Sequence, residues 1–201
     1  MLRRSLIVVA AFLAALVVVS LASAALVRVR VEGKTLTIFG PTDPTIVATT
    51  PLDALQAAAK SGEFYEHVTA SSFGNYVDQI GFYPGAGDAG WVFKVNGASP
   101  PVGADQVQLK DGDVVEWYYA TFGPNGGPPT LVLTKVQRTC YRVVAQNDAG
   151  AATTIAGIIL HVDGRTVQTQ GATGAAVACI PGKHGLVWAT APGAVRSNRL
   201  P

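Results

Sequence analysis

Apolar and polar residues alternate in a short stretch of this chain that begins soon after residue 24. Segment 27–31 alternates valine with arginine, a period of two that predicts a half-buried strand. A turn at Gly33-Lys34 leads into a second alternation at Leu36 and Ile38. The first predicted element is therefore a hairpin.

The next segment has the pattern of an amphipathic helix. Thr50 can cap it, Pro51 suits the first helical position, and Asp53 lies near the positive end of the helix dipole. Lys60 and Gly62 stand where such a helix ends. About ten residues are too few for a stable isolated helix, so its apolar face must pack on a sheet. That face comprises Leu52, Leu55 and Ala59.

Strand and turn patterns return after the helix. Strands are predicted at 76–80, 91–95 and 114–120, with tight turns at Asn96-Gly97 and at 109–113. A hairpin, a helix and further strands are typical of a β-grasp-like α+β fold, which we assign to residues 25–122.

Aromatic residues concentrate in this region. In the strand 114–120, Trp117 and Tyr119 fall on one face and Tyr118 on the other, so rings point to both sides of the sheet. One face can serve the core, and the other must be wet, covered by a partner or bound to a ligand. Either this is a core with an ordinary exposed tyrosine, or Tyr118 and the loop 83–87 form a recognition surface. The candidate ligand-binding residues are Tyr83, Trp91, Trp117 and Tyr118.

The segment 123–130 is rich in glycine and proline and predicts a linker. Beyond it, residues 131–201 contain short apolar runs separated by turn residues, which predicts a small antiparallel β-sandwich. The predicted strands include 143–144, 155–162, 166–169, 175–180 and 186–190.

Cys140 and Cys179 are the two cysteines of the sequence. We predict a disulfide between an early and a late strand of the sandwich, tying its two sheets together. Closing a loop of about 40 residues would stabilise the domain by about 4 kcal/mol in the chain-entropy model. A metal site is the alternative, but nearby His161 and His184 lack the usual ligand spacing, and we predict no metal.

The first 24 residues have the pattern of a secretory signal peptide. Arg3 and Arg4 precede an uncharged apolar run at 6–21, and small residues follow at 22–24. The run is long for a signal peptide, so an uncleaved N-terminal anchor is the alternative. Either way, we expect the remainder of the chain to be secreted or otherwise extracytoplasmic, with no other contact with the membrane.

The charge balance of the chain argues against one class of partner, nucleic acids. Without Arg3 and Arg4, the 15 basic residues become 13, which equals the number of acidic residues. A near-neutral chain without a basic block gives no reason to expect nucleic-acid binding. No catalytic constellation is recognisable. We expect His67 to be a solvated surface histidine, and Ser71 and Ser72 lack a nucleophile-elbow motif.

Three glycine-containing stretches of the first domain resemble, in order, the C-terminal-like domain of transcobalamin and intrinsic factor. They are Gly74–Val77, Gly90–Gly97 and Gly103–Trp117, and the resemblance covers about residues 27–121. It implies a small β-rich domain that closes over cobalamin held against a larger α/α barrel, so a corrinoid is a candidate bound ligand. Residues 161–190 resemble, less specifically, transthyretin-like or immunoglobulin-like modules.

We therefore expect a non-catalytic exported binding module without a cofactor, whose partner is a small molecule or a cell-surface protein. A structural or adhesive protein of the cell envelope is the alternative function.

Overall fold

A computed structural model describes residues 23–72, 74–124, 126–169 and 175–201. Short strands and one helix account for the regular structure of these residues, which confirms the predicted β-rich α+β class. The predicted signal region, residues 1–24, lies outside the described residues except for its last two. The described part of the chain contains no helix with the length and apolar character needed to cross a membrane.

The described residues of the segment 25–122, which we call the first domain, form eight strands and the helix. In chain order they are β1 (Ala25–Glu32), β2 (Thr37–Phe39), β3 (Thr45–Ala48), α1 (Pro51–Gly62), β4 (Glu66–Ser71), β5 (Gly74–Ile80), β6 (Tyr83–Pro84), β7 (Ala89–Val95) and β8 (Val114–Thr121). The sequence patterns did not predict β3, β4 and β6.

β1 is the centre of the main sheet, whose order is β2-β1-β8-β7 with β3 also paired to β1. The first strand runs parallel to β8 and antiparallel to β2 and β3. A smaller sheet, β4-β5-β6, packs beside it. The alternate valines of β1 are fully buried in the core, as their spacing predicts.

The helix α1 begins and packs as predicted. The Thr50 hydroxyl accepts a hydrogen bond from the Asp53 amide at 3.1 Å, and Leu52, Leu55 and Ala59 are buried. The helix ends at Gly62 with Lys60 in its last turn, as predicted, and the following residue, Glu63, adopts the left-handed cap conformation with φ of 52°. Gly62 is the last helical residue, and a side chain there would collide with the ring of Phe39.

The second domain is built from two sheets that face each other. Its strands are β9 (Thr130–Gln137), β10 (Cys140–Gln146), β11 (Ala152–Thr153), β12 (Ile159–Val162), β13 (Arg165–Gln168), β14 (Ala175–Cys179) and β15 (Trp188–Thr190). One sheet has β10 paired to β9, β11 and β14, and the other has the order β13-β12-β15. Both sheets contribute to one apolar cluster, for example through Val143 and Leu160. The strand predicted at 155–162 is shorter, since only 159–162 is extended.

The disulfide between Cys140 and Cys179 is present, as predicted. Its placement differs from the prediction, because the two cysteines lie opposite each other on β10 and β14 of the same sheet. The bond therefore joins neighbouring strands and does not tie one sheet to the other.

Polar contacts join the two domains across a buried interface. Arg196 of the second domain lies 2.9 Å from the Glu32 carboxylate and donates to the Gly33 carbonyl at 2.6 Å. The Arg199 amide donates to the Pro41 carbonyl at 2.7 Å. The domains thus meet through hydrogen bonds and ion pairs as well as through apolar contact.

Candidate functional site

The two faces of β8 have different surroundings, as the alternation of its residues predicts. Val115, Trp117 and Tyr119 pack in or against the core of the first domain. Tyr118 and Ala120 point to the opposite side, where they pack against Val195 of the second domain. This second face of β8 was predicted to be wet, covered by a partner or bound to a ligand. In the structure, another part of the same chain covers it.

The recognition surface predicted from Tyr118 and the loop 83–87 is not formed. Tyr118 is only 1% exposed because the second domain covers it. Tyr83 lies on the other face of the sheet, with its ring 6.1 Å from that of Tyr119. The Trp91 indole donates to the Tyr83 carbonyl at 2.7 Å, which fixes this ring cluster.

A different grouping of aromatic side chains lines a cleft of about 290 Å³, which we call the aromatic cleft. It contains three of the four predicted ligand-binding residues, Trp91, Trp117 and Tyr118, but not Tyr83. Residues 75–77 of β5 and 91–93 of β7 form two of its walls. The remaining lining residues are Ser99, Pro100, Gly103, Ala104, Phe122 and Asp148.

The core side of the cleft is rigidly packed. Trp117 contacts Phe93 with a distance of 5.1 Å between ring centroids, and its indole donates to the Pro51 carbonyl at 3.0 Å. That carbonyl belongs to the first turn of α1, so the helix and the sheet fix the same ring. The buried Trp117 ring thus backs the cleft, and the more exposed rings of Tyr76 and Phe122 supply its accessible apolar surface.

The opposite end of the cleft is polar. Asp148, the single charged residue among those lining the cleft, comes from the turn after β10 in the second domain. Burial raises the pKa of the Tyr118 hydroxyl, and the Asp148 carboxylate raises it further, whereas a hydrogen bond with Ser99 lowers it. Tyr118 therefore stays protonated at neutral pH and presents a neutral hydroxyl beside an anionic carboxylate.

Lys94 holds the turn that carries Asp148. Its fully buried ammonium group donates to the carbonyls of Gln146 and Asn147 at 3.0 and 2.8 Å, and to the Thr130 hydroxyl at 3.2 Å. Burial lowers the pKa of Lys94, which the Glu116 and Asp148 carboxylates partly offset. A side chain of the first domain thus positions a cleft residue of the second.

A second cavity, of about 570 Å³, lies between the domains among charged residues. Arg30, which lines it, donates to the Glu116 carboxylate at 2.6 Å and lies 3.6 Å from that of Glu32. These groups are buried and paired mainly with one another. We therefore assign them to the domain interface.

The other candidate residues lie apart from the cleft. His67 is exposed on β4 and its Nδ1 lies 2.6 Å from an Asp78 carboxylate oxygen. In the ranges that the structure describes, no three His, Cys, Asp or Glu side chains form a group able to hold a metal ion. Sequence reasoning missed Asp148 as a cleft residue, because its position in a turn of the second domain carries no local signal of this contact.

Comparison with protein families gives a match to part of the chain. Residues 48–121 are similar to a family described as a domain of unknown function (DUF4430). A search of curated proteins finds no match. The matched range runs from the end of β3 to the end of β8, and it includes the lining residues of the aromatic cleft except Phe122 and Asp148.

Proposed function

We propose that this protein is a non-catalytic binding module that holds a small molecule in the aromatic cleft. The observation that carries the proposal is the cleft itself, in which rigid rings and a single carboxylate surround an open apolar volume. Ligand sites are typically concave and apolar with a few placed polar groups, and this cleft has that composition.

The lining favours a particular kind of ligand. An apolar body would contact the accessible rings of Tyr76, Phe93 and Phe122, and a hydrogen-bond donor or a cation would reach Asp148. The volume of 290 Å³ is near the lower end of the usual range of about 300–1,000 Å³. A corrinoid is much larger than this volume, so we expect only an edge of such a molecule to enter.

Export to an oxidising compartment is part of the proposal. The disulfide between Cys140 and Cys179 supports it, because such bonds persist mainly outside the cytoplasm. The basic and apolar pattern of residues 1–24 supports secretion, with an uncleaved anchor as the alternative.

Tryptophan fluorescence tests the function directly, since two of the three tryptophans line the cleft. The third, Trp188, stacks on His161 in the second domain, so a Trp188→Phe variant isolates the cleft signal. Titration with cobalamin and with a panel of small aromatic amines should give a saturable change for at least one compound. No saturable change with any of these compounds, or with a short peptide, would overturn the proposal.

A matched pair of variants shows whether the bound molecule is in the cleft. Phe122 lines the cleft and is 44% exposed, so Phe122→Ala should weaken binding with little loss of stability. Phe82 is 96% exposed and lies elsewhere, and Phe82→Ala should leave binding unchanged. Equal effects of the two substitutions would place the ligand outside the cleft.

A further inference from the structure

The backbone of β7 presents hydrogen-bonding groups on alternating sides. The Asp88 carbonyl accepts from the Phe122 amide, and the Asn96 amide donates to the Val114 carbonyl. The register between β7 and β8 is unbroken between these two points. By the alternation of an antiparallel ladder, the backbone groups of Trp91 and Phe93 therefore point away from β8.

Among the described residues, the edge of β7 that faces away from β8 has backbone hydrogen-bond partners at its two ends but none in the middle. Ala89 exchanges two backbone hydrogen bonds with Ala86, and Val95 exchanges two with Ala98. Between them, the amides and carbonyls of Trp91 and Phe93 have no hydrogen-bond partner among the described residues, where β8 is the one strand that pairs with β7. The open edge is thus a window of two residues, both of which line the aromatic cleft.

Backbone groups at a half-buried edge need partners, which either water or a ligand must supply. An extended peptide offers amides and carbonyls with the same spacing as the window, as in the recognition of peptides by strand addition. A small aromatic ring would fill the apolar volume but would leave these backbone groups without matching partners.

Charge complementarity further specifies the peptide. Asp148 is the single charged residue in the lining; Lys94 Nζ lies 4.0 Å behind one of its carboxylate oxygens, but the Asp148 side chain is 45% exposed on the side of the cleft. A lysine or arginine beside the paired segment can approach this carboxylate, whereas an acidic residue there would be repelled.

We infer that the ligand of the aromatic cleft is an extended peptide segment. It pairs with Trp91 and Phe93 as an added strand, places an apolar side chain between the rings, and carries a basic residue facing Asp148. This inference rests on the proposed function and names its ligand class.

The test uses the acetylated and amidated pentapeptide Lys-Val-Phe-Val-Thr and protein labelled with ¹⁵N. We expect saturable shifts of the Trp91 and Phe93 amide resonances on titration, because these amides acquire acceptors. The Ala89 and Val95 amides are already bonded and serve as internal controls that should move little. Binding without shifts at Trp91 and Phe93 would overturn the inference.

Two isomeric peptides give an independent test of strand pairing. Both are N-methylated at alternate residues. In one peptide the methyl groups lie on the strand edge that would pair with β7, and in the other they lie on the opposite edge. The isomer methylated on the pairing edge should bind about fivefold more weakly for each hydrogen bond lost, and the other should bind normally. Equal affinities would overturn strand pairing.

The role of Asp148 is tested by exchanging charges. Replacing the peptide's lysine with glutamate should weaken binding to the natural protein, and Asp148→Asn should remove most of that difference. An undiminished preference for lysine in the variant would contradict the assigned contact.

The failure of this inference can be distinguished from that of the proposed function. If cobalamin or an amine of the fluorescence panel saturates the cleft while the peptide does not bind, the peptide inference fails and the proposed function stands. If neither the peptide nor any small compound binds, both fail.

Discussion

The two domains of this protein reach stability by different means. The first packs a helix and aromatic rings of β7 and β8 into its core, where Trp117 and Leu55 are almost completely buried. The second has no helix among its described residues and a smaller set of buried residues, and it adds a disulfide between β10 and β14.

This difference teaches how a small β-sandwich compensates for a limited core. A short chain buries too little apolar surface to gain much stability, and cross-links are a common remedy. The first domain gains more from its large rings, since each aromatic side chain buries a large area. We expect perturbations of rings to affect mainly the first domain and reduction to affect mainly the second.

The largest expected effect is that of Trp117→Ala. Loss of the indole leaves a cavity beside Phe93 and removes the hydrogen bond to Pro51, so the free energy of unfolding should fall by about 3–5 kcal/mol. Urea denaturation measures it, with Phe82→Ala as a control expected within about 0.5 kcal/mol of the natural protein. A loss below about 1 kcal/mol would show that the rings do not hold this domain.

Removal of the disulfide should have the next largest effect. Replacing Cys140 and Cys179 by serine should lower the unfolding free energy of the second domain by about 2–4 kcal/mol. Calorimetry should show a lower melting temperature for that domain and little change for the first. Equal shifts of both domains would mean that they unfold as one unit.

Lys94→Met tests the connection between the domains. It leaves the carbonyls of Gln146 and Asn147 without their donor, so stability should fall by about 2 kcal/mol. We expect the melting transitions of the two domains to move further apart, because the interface is weakened. Lys110→Met, at an exposed position, is the matched control.

The smallest effect concerns pH and the second domain. The hydrogen bond from His184 to Asp163 raises the pKa of His184 above its ordinary value of 6.5. Its contribution to stability is fully present below that value and is lost as pH rises through the raised pKa. Melting temperatures between about pH 5 and pH 9 should show this loss, and Asp163→Asn should flatten the profile. An unchanged slope in the variant would exclude the pair as its source.

The sequence patterns predicted the helix and strands of the first domain better than they predicted which residues pack against them. The cap at Thr50, the helix and the alternation along β8 are local patterns, and the structure confirms them. The partner of the outer face of β8 could not be predicted, because Val195 lies far along the chain. This is why Tyr118 was expected at a surface and is found at an interface.

The candidate site shows the same limit. Two of the predicted ligand-binding residues, Trp91 and Trp117, line the cleft. Tyr83 does not, because its ring packs in another cluster beside Tyr119. The open window of β7 depends on which strands pair, and periodicity within one strand carries no information about that. The position of the disulfide within one sheet was missed for the same reason.

Because Asp148 belongs to one domain and most of the lining to the other, occupancy of the cleft and cohesion between the domains are thermodynamically linked. A molecule that binds the assembled cleft strengthens the association of the two domains. That association strengthens the binding of the molecule by the same factor. The force needed to separate the two domains would then rise with the concentration of that molecule.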